Sequence, residues 1–224
     1  MPNEIVATVA SIDEHPKRRG RFVVFVGAEP IATVTADAIS ELRIHVGDAL
    51  TEKTLDALRV HDRRTTVLDR ALRLLAVRAR SAAELTRTLM RGKDRPLAED
   101  VKWVQQVLAK QGYIDDARFA DQFVRDRATI RGWGKQRLTS ELRRRGVAQA
   151  HIGSAMSQAS EDAALDDARS ASAVALKWRR THSARDPDRD KQRLYGFLAR
   201  RGFSPDVIRV AMREALADAE GESS

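Results

Sequence analysis

Eight of the nine basic side chains in two copies of one motif stand out as having chemistry to offer. Lys135, Arg137, Arg143 and Arg144 lie in KQRLTSELRRRG, and Lys191, Arg193, Arg200 and Arg201 lie in KQRLYGFLARRG, 56 residues further on. A guanidinium presents a planar fork that grips two oxygens of a phosphate or carboxylate, so arginines returning at the same places point to an anionic partner. The charge extends beyond the motif. Residues 70–95 hold eight basic and two acidic residues, 125–145 hold eight and two, and 177–201 hold nine and three. Charged helix faces are usually only solvated, and Arg137 and Arg145 each lie four residues from Glu141, the spacing of a surface ion pair. Three cationic blocks in register with a repeat favour a contact surface instead.

Other chemistries find less support. The five histidines, His15, His45, His61, His151 and His182, lack metal-ligand spacing, and no phosphate-binding glycine loop is present. The chain has no cysteine, which removes disulfides, thiolate zinc sites and thiol nucleophiles and fits a reducing compartment. Asp115 and Asp116 read as a helix cap rather than a catalytic pair. The expectation is a protein that is not an enzyme, with no cofactor and no metal. Trp133 and Trp178 lie beside the basic blocks, where they serve either to stack on bases or anchor a partner, or to pack in the core. Trp103, within an apolar helical pattern, reads as packing.

The elements that position these residues follow from periodicity. On a helix Arg137, Glu141 and Arg144 share one stripe and Leu138 and Leu142 the next, so the leucines are expected to bury and the arginines to face out. Arg193 and Arg200 take the same stripe in the second copy, with Phe197 in place of Glu141. Helices capped and closed in this manner recur from residue 65 onward. Ser81 and Glu84 form a capping box ahead of Leu85 and Leu89, and Gly92, Gly112, Gly146 and the Ser204-Pro205 pair mark further ends and starts. A polar stretch from Thr181 to Asp190 reads as a mobile loop. Before residue 65 the pattern is different: Ile5, Ala7 and Val9, then Phe22, Val24 and Val26, then residues 31–34 alternate as strands do. Short helices are expected near Ala36–Leu42 and from the N-cap Thr51 to about residue 60.

The reading is a mainly α protein: a small N-terminal antiparallel sheet with short helices over residues 1–64, then three-helix repeats over 65–114, 115–160 and 161–224. Its charge is divided accordingly. Residues 1–64 hold nine basic and ten acidic side chains, whereas the rest holds 31 and 22, within a total of +8. A polyanion or an acidic protein groove is the partner this field fits. No run of about 18 apolar residues occurs, so a soluble, cytoplasmic protein without a membrane partner is expected.

The run Gly112-Tyr113-Ile114-Asp115-Asp116-Ala117-Arg118-Phe119-Ala120, followed by Arg127, Gly132-Trp133-Gly134, Leu138, Leu142 and Gly146, resembles the RecX family of recombinase regulators. Arg80-Ser81 and Glu84-Leu85 upstream extend the resemblance, which spans residues 68–216. It implies a curved array of three three-helix repeats. It also implies binding to the RecA filament on single-stranded DNA, with inhibition of strand exchange, ATP hydrolysis and coprotease activity, in recombination, repair and the SOS response; a monomer is expected. The eight basic residues above would then make the RecA or DNA contacts. A DNA-binding protein acting without RecA, and a scaffold whose basic faces meet an acidic protein, are the competing readings.

Overall fold

The alternating N-terminal residues pair as strands because one face of each can bury. A computed structural model describes residues 5–92, 95–182 and 187–221. Strands β1 (Ile5–Glu14), β2 (Phe22–Val26) and β3 (Glu29–Val34) are joined by a short fourth, β4 (Ala49–Thr51), in the antiparallel order β3-β2-β1-β4. Three strands were expected; β4 has too few residues to show a period of its own. Val9, Val24, Val34 and Leu50 form the buried face, closed by Ala38 of helix α1 (Ala36–Leu42) and Leu58 of helix α2 (Glu52–Val77). Thr35 and Thr51 cap these helices, their side chains accepting the N–H of Ala38 and Thr54.

Helix α2 does not stop near residue 60. It runs for 26 residues, and the expected division at residue 64 falls inside it. Polar residues just past the expected end are held by packing. Asp62 accepts the Thr33 N–H at 2.8 Å, and Arg63 and Arg64 both reach the fully buried Asp100, at 3.2 and 3.4 Å.

Among the described residues eight further helices follow: α3 (Ala82–Leu89), α4 (Ala98–Lys110), α5 (Asp116–Arg131), α6 (Lys135–Arg144), α7 (Gln149–Glu161), α8 (Asp167–Thr181), α9 (Pro187–Arg200) and α10 (Pro205–Gly221). The protein is mainly α, with a small antiparallel sheet ahead of its helical domains, as the periodicity predicts. The expected loop between α8 and α9 lies in part outside the described residues, at 183–186, while Asp188 and Asp190 already belong to α9.

Contacts group the chain into two compact units, one of residues up to Ala79 with Leu85–Tyr113, the other of Arg80–Glu84 with residues from Ile114 onward. The second unit holds two aliphatic cores. Leu138 and Leu142 of α6 bury with α5 and α7, and Leu194 and Leu198 of α9 bury with α8 and α10. Each such leucine, removed wholly from water, contributes roughly 2 kcal/mol.

Candidate functional site

Helices α6 and α9 each end at a glycine in the left-handed region, Gly146 (φ 81°) and Gly202 (φ 86°), and these endings dock within the second unit. At the end of α9, the Gly134 N–H donates to the Arg201 carbonyl at 2.8 Å and the Gln136 N–H to the Gly202 carbonyl at 3.2 Å. Amides at the start of α6, which have no partner in their own helix, thus meet carbonyls left over at the end of α9. The approach leaves no room for side chains: a Cβ on Gly202 would lie 2.3 Å from the Arg137 nitrogen, and one on Gly134 2.5 Å from the Gly202 oxygen.

The end of α6 docks on residues 81–84, with a serine hydroxyl where the other junction has a backbone amide. The Ser81 hydroxyl donates to the Arg145 carbonyl at 2.6 Å and accepts the Glu84 N–H at 3.1 Å, while a Cβ on Gly146 would stand 2.4 Å from that of Ala83. Paired aspartates complete both junctions. Asp115 and Asp166 cap their own helices, accepting from the N–H of Arg118 and Arg169. Their neighbours reach outward, Asp116 to the Ala82 N–H at 2.8 Å and Asp167 to the Lys135 N–H at 3.2 Å. Burial raises the Asp167 carboxyl above the ordinary aspartate range, outweighing the pull of that N–H.

Charge separates the two junctions. Counting back from the buried leucines Leu85 and Leu138, Arg137 stands where the other junction has Glu84, and Arg201 stands where it has Arg145. Glu84 and Arg145 form an ion pair at 2.6 Å, with the Arg145 guanidinium 4.9 Å from the Phe123 ring centre. Arg137 and Arg201 instead set like charges together. Arg137 lies 4.0 Å over Trp133 and donates to the Arg200 carbonyl at 2.9 Å; Arg201 lies 4.6 Å over Phe197 and donates to the Arg131 carbonyl. Burial, and then the Arg137 charge, push the Arg201 guanidinium below the usual arginine range.

With Arg127, Arg131 and Arg200 these two line an open cavity of about 520 Å³ walled by Trp133 and Phe197. Among the described residues, none of the five guanidiniums has a carboxylate within 4.0 Å. Charges of one sign held by aromatic faces and backbone carbonyls have their forks oriented but not neutralised.

The sequence-predicted residues therefore divide. Arg137, Arg200 and Arg201 come together at the cavity, although Arg137 and Arg201 are only half-exposed. The others are exposed and mostly engaged locally: Arg143 with Gln149 at 2.9 Å, Arg144 with Glu141 at 2.6 Å, Lys191 with Asp188 at 3.3 Å and Arg193 with Asp190 at 3.6 Å. Lys135 is exposed at the start of α6. Glu141 pairs with Arg144 rather than with the arginines four residues away. Arg127, named only within the family resemblance, and Arg131 were not among the expected site residues; their signal was their place in the 125–145 block, in the second half of α5 before Trp133. That ring is half-buried against Phe123 and carries Arg137 on a face, and Trp178 stacks on His182 at 4.2 Å. Trp103 packs under the Arg64 guanidinium. Among the described residues there is no group of three or more His, Cys, Asp or Glu able to hold a metal ion, and no helix long and apolar enough to cross a membrane.

Residues 115–156 match the family description "RecX, second three-helix domain", and residues 166–212 match "RecX, third three-helix domain". A "Regulatory protein RecX" of Halorhodospira halophila is 41% identical over 155 residues, which span 69% of this chain and 91% of that protein. One of Mycobacterium sp. (strain JLS) is 40% identical over 149 residues, 63% of this chain and 79% of that protein. Among solved structures, "Crystal structure of regulatory protein RecX" shares the fold with a TM-score of 0.73 at 23% identity, over 93% of this chain and all of that one. A RecX from Lactobacillus salivarius gives a TM-score of 0.54 at 19% identity, over 69% and 97%.

Proposed function

The chain belongs to the RecX family of regulatory proteins, and from that membership we propose that it acts on the RecA recombinase. In this reading it binds RecA filaments on single-stranded DNA and inhibits strand exchange, ATP hydrolysis and coprotease activity, in the cytoplasm, as a monomer without catalysis of its own. The observation that carries the reading is the 41% identity extending over 91% of a regulatory RecX protein. The charge of the second helices supports it. Lys135, Arg143, Arg144, Lys191, Arg193 and Arg200 are exposed on α6 and α9, and weak contacts repeated along a filament of identical subunits multiply into tight occupancy.

The test is RecA strand exchange with the Arg143→Glu, Arg144→Glu double variant. These side chains are exposed, so circular dichroism should stay helical, while the concentration needed for half-inhibition should rise about tenfold. Unchanged inhibition by the folded variant removes both residues from the interface. The second reading, DNA binding without RecA, is favoured by the uncompensated arginines around the Trp133 cavity. It predicts saturable binding to naked single strands with a steep salt dependence and the same affinity whether or not RecA is present.

A further inference from the structure

We propose that the cavity between the end of α9 and the start of α6 is a phosphate site, and that an anion bound there takes the place that Glu84 fills in the other junction. The inference concerns the free chain and does not rest on the recombinase reading.

Three observations carry it. First, both junctions turn a helix end at a left-handed glycine against the start of another helix and close with an aspartate that accepts the first N–H of that helix, so the substitution of Arg137 for the glutamate occurs within one docking scheme. Second, the Arg137–Arg201 pair is unfavourable as it stands. Arg201 is depressed by burial and by Arg137, and both guanidiniums line one cavity with no carboxylate of the described residues within 4.0 Å. A group in this state gains when a negative charge arrives. Third, the guanidiniums are fixed before any ligand binds. Trp133 and Phe197 hold Arg137 and Arg201 by their faces, and carbonyls of Arg200 and Arg131 take one N–H from each, leaving donors to turn inward.

The chemistry of the ligand follows from what the walls leave available. Five guanidiniums suit an oxyanion of more than one charge, and a cavity of about 520 Å³ exceeds the size of a single phosphate. It takes two or three linked phosphates, or successive phosphates of a strand. Arg137 and Arg127 both lie against Trp133, so the recognised part is phosphate and not base. Binding should be indifferent to sequence.

The experiment follows thermal unfolding of the full chain during titration with pyrophosphate, and separately with an oligothymidylate of about 12 nucleotides, at ionic strength held constant with chloride. A site saturated about a hundredfold above its dissociation constant should raise the unfolding midpoint by about 5 °C. Arg137→Glu should raise the midpoint without any anion and abolish the pyrophosphate response. Arg200→Gln, at an exposed side chain, should leave the unliganded midpoint unchanged and weaken pyrophosphate about fivefold. Pyrophosphate displaced by the oligothymidylate supports the site with a nucleic-acid backbone as its source; pyrophosphate bound with no competition supports it with a free polyphosphate as its source. A wild-type chain that does not respond to pyrophosphate, or an Arg137→Glu or Arg200→Gln chain that responds as the wild type does, overturns the proposal.

Discussion

Arg145 and Arg201 occupy matching places at the ends of α6 and α9, yet one meets a carboxylate and the other a second arginine. Both helix ends turn at a left-handed glycine. Helix ends are satisfied across both junctions, glycines permit close approach, and the second aspartate of each pair caps the neighbouring helix. Docking therefore depends on the backbone and the caps, and the charge pair laid over it is free to change. In the Glu84 junction it is closed and internally neutral. In the Arg137 junction it is left positive, and that is where a partner's charge has something to complete.

The largest effect should come from the glycines that both junctions share. Gly202→Ala places a methyl against the Arg137 backbone nitrogen at a positive φ, at a cost of about 4 kcal/mol in chemical denaturation. Gly146→Ala strikes only the Ala83 methyl and should cost about 2 kcal/mol. Adding Ala83→Gly should recover part of the Gly146→Ala loss, a rescue with no counterpart at Gly202. Equal costs would mean that the two dockings are not held in the way described.

Next in size is the ion pair itself. Glu84→Ala leaves a half-buried Arg145 without its carboxylate and should lower stability by about 2 kcal/mol.

The smallest effect separates the caps. The Asp167 carboxyl is raised by burial, so the folded chain binds its proton more readily than the unfolded chain does. Its contribution to stability is full below the ordinary aspartate pKa and disappears as pH rises through the raised value. Asp167→Asn should flatten that part of the acid stability profile while changing midpoint stability by only about 0.5 kcal/mol, because the amide oxygen still accepts the Lys135 N–H. A profile that is unaltered would show that Asp167 does not titrate differently on folding.

The buried leucines, the caps at Thr51, Asp115 and Ser204, and the basic blocks were legible because each is a local pattern: a period, or a side chain three residues from the amide it caps. The junctions were not, because Asp116 and Ala82, or Asp167 and Lys135, are brought together by packing from positions 34 and 32 residues apart. The repeated Arg-Arg-Gly was visible, but not its division of labour. Arg144 and Arg200 are exposed, whereas Arg145 and Arg201 turn into the dockings. Helix α2 was misjudged for the same reason. The residues beyond its expected end, Asp62, Arg63 and Arg64, are held by tertiary partners that no local pattern shows.

Paired double-mutant cycles compare the two junctions most directly, one for Glu84 and Arg145 and one for Arg137 and Arg201, in buffer free of phosphate. The first should give a favourable coupling of about 1–2 kcal/mol and the second an unfavourable one of about 1 kcal/mol that shrinks when pyrophosphate is added. Couplings of the same sign would contradict the claim that one junction is closed by its own charges and the other awaits an anion.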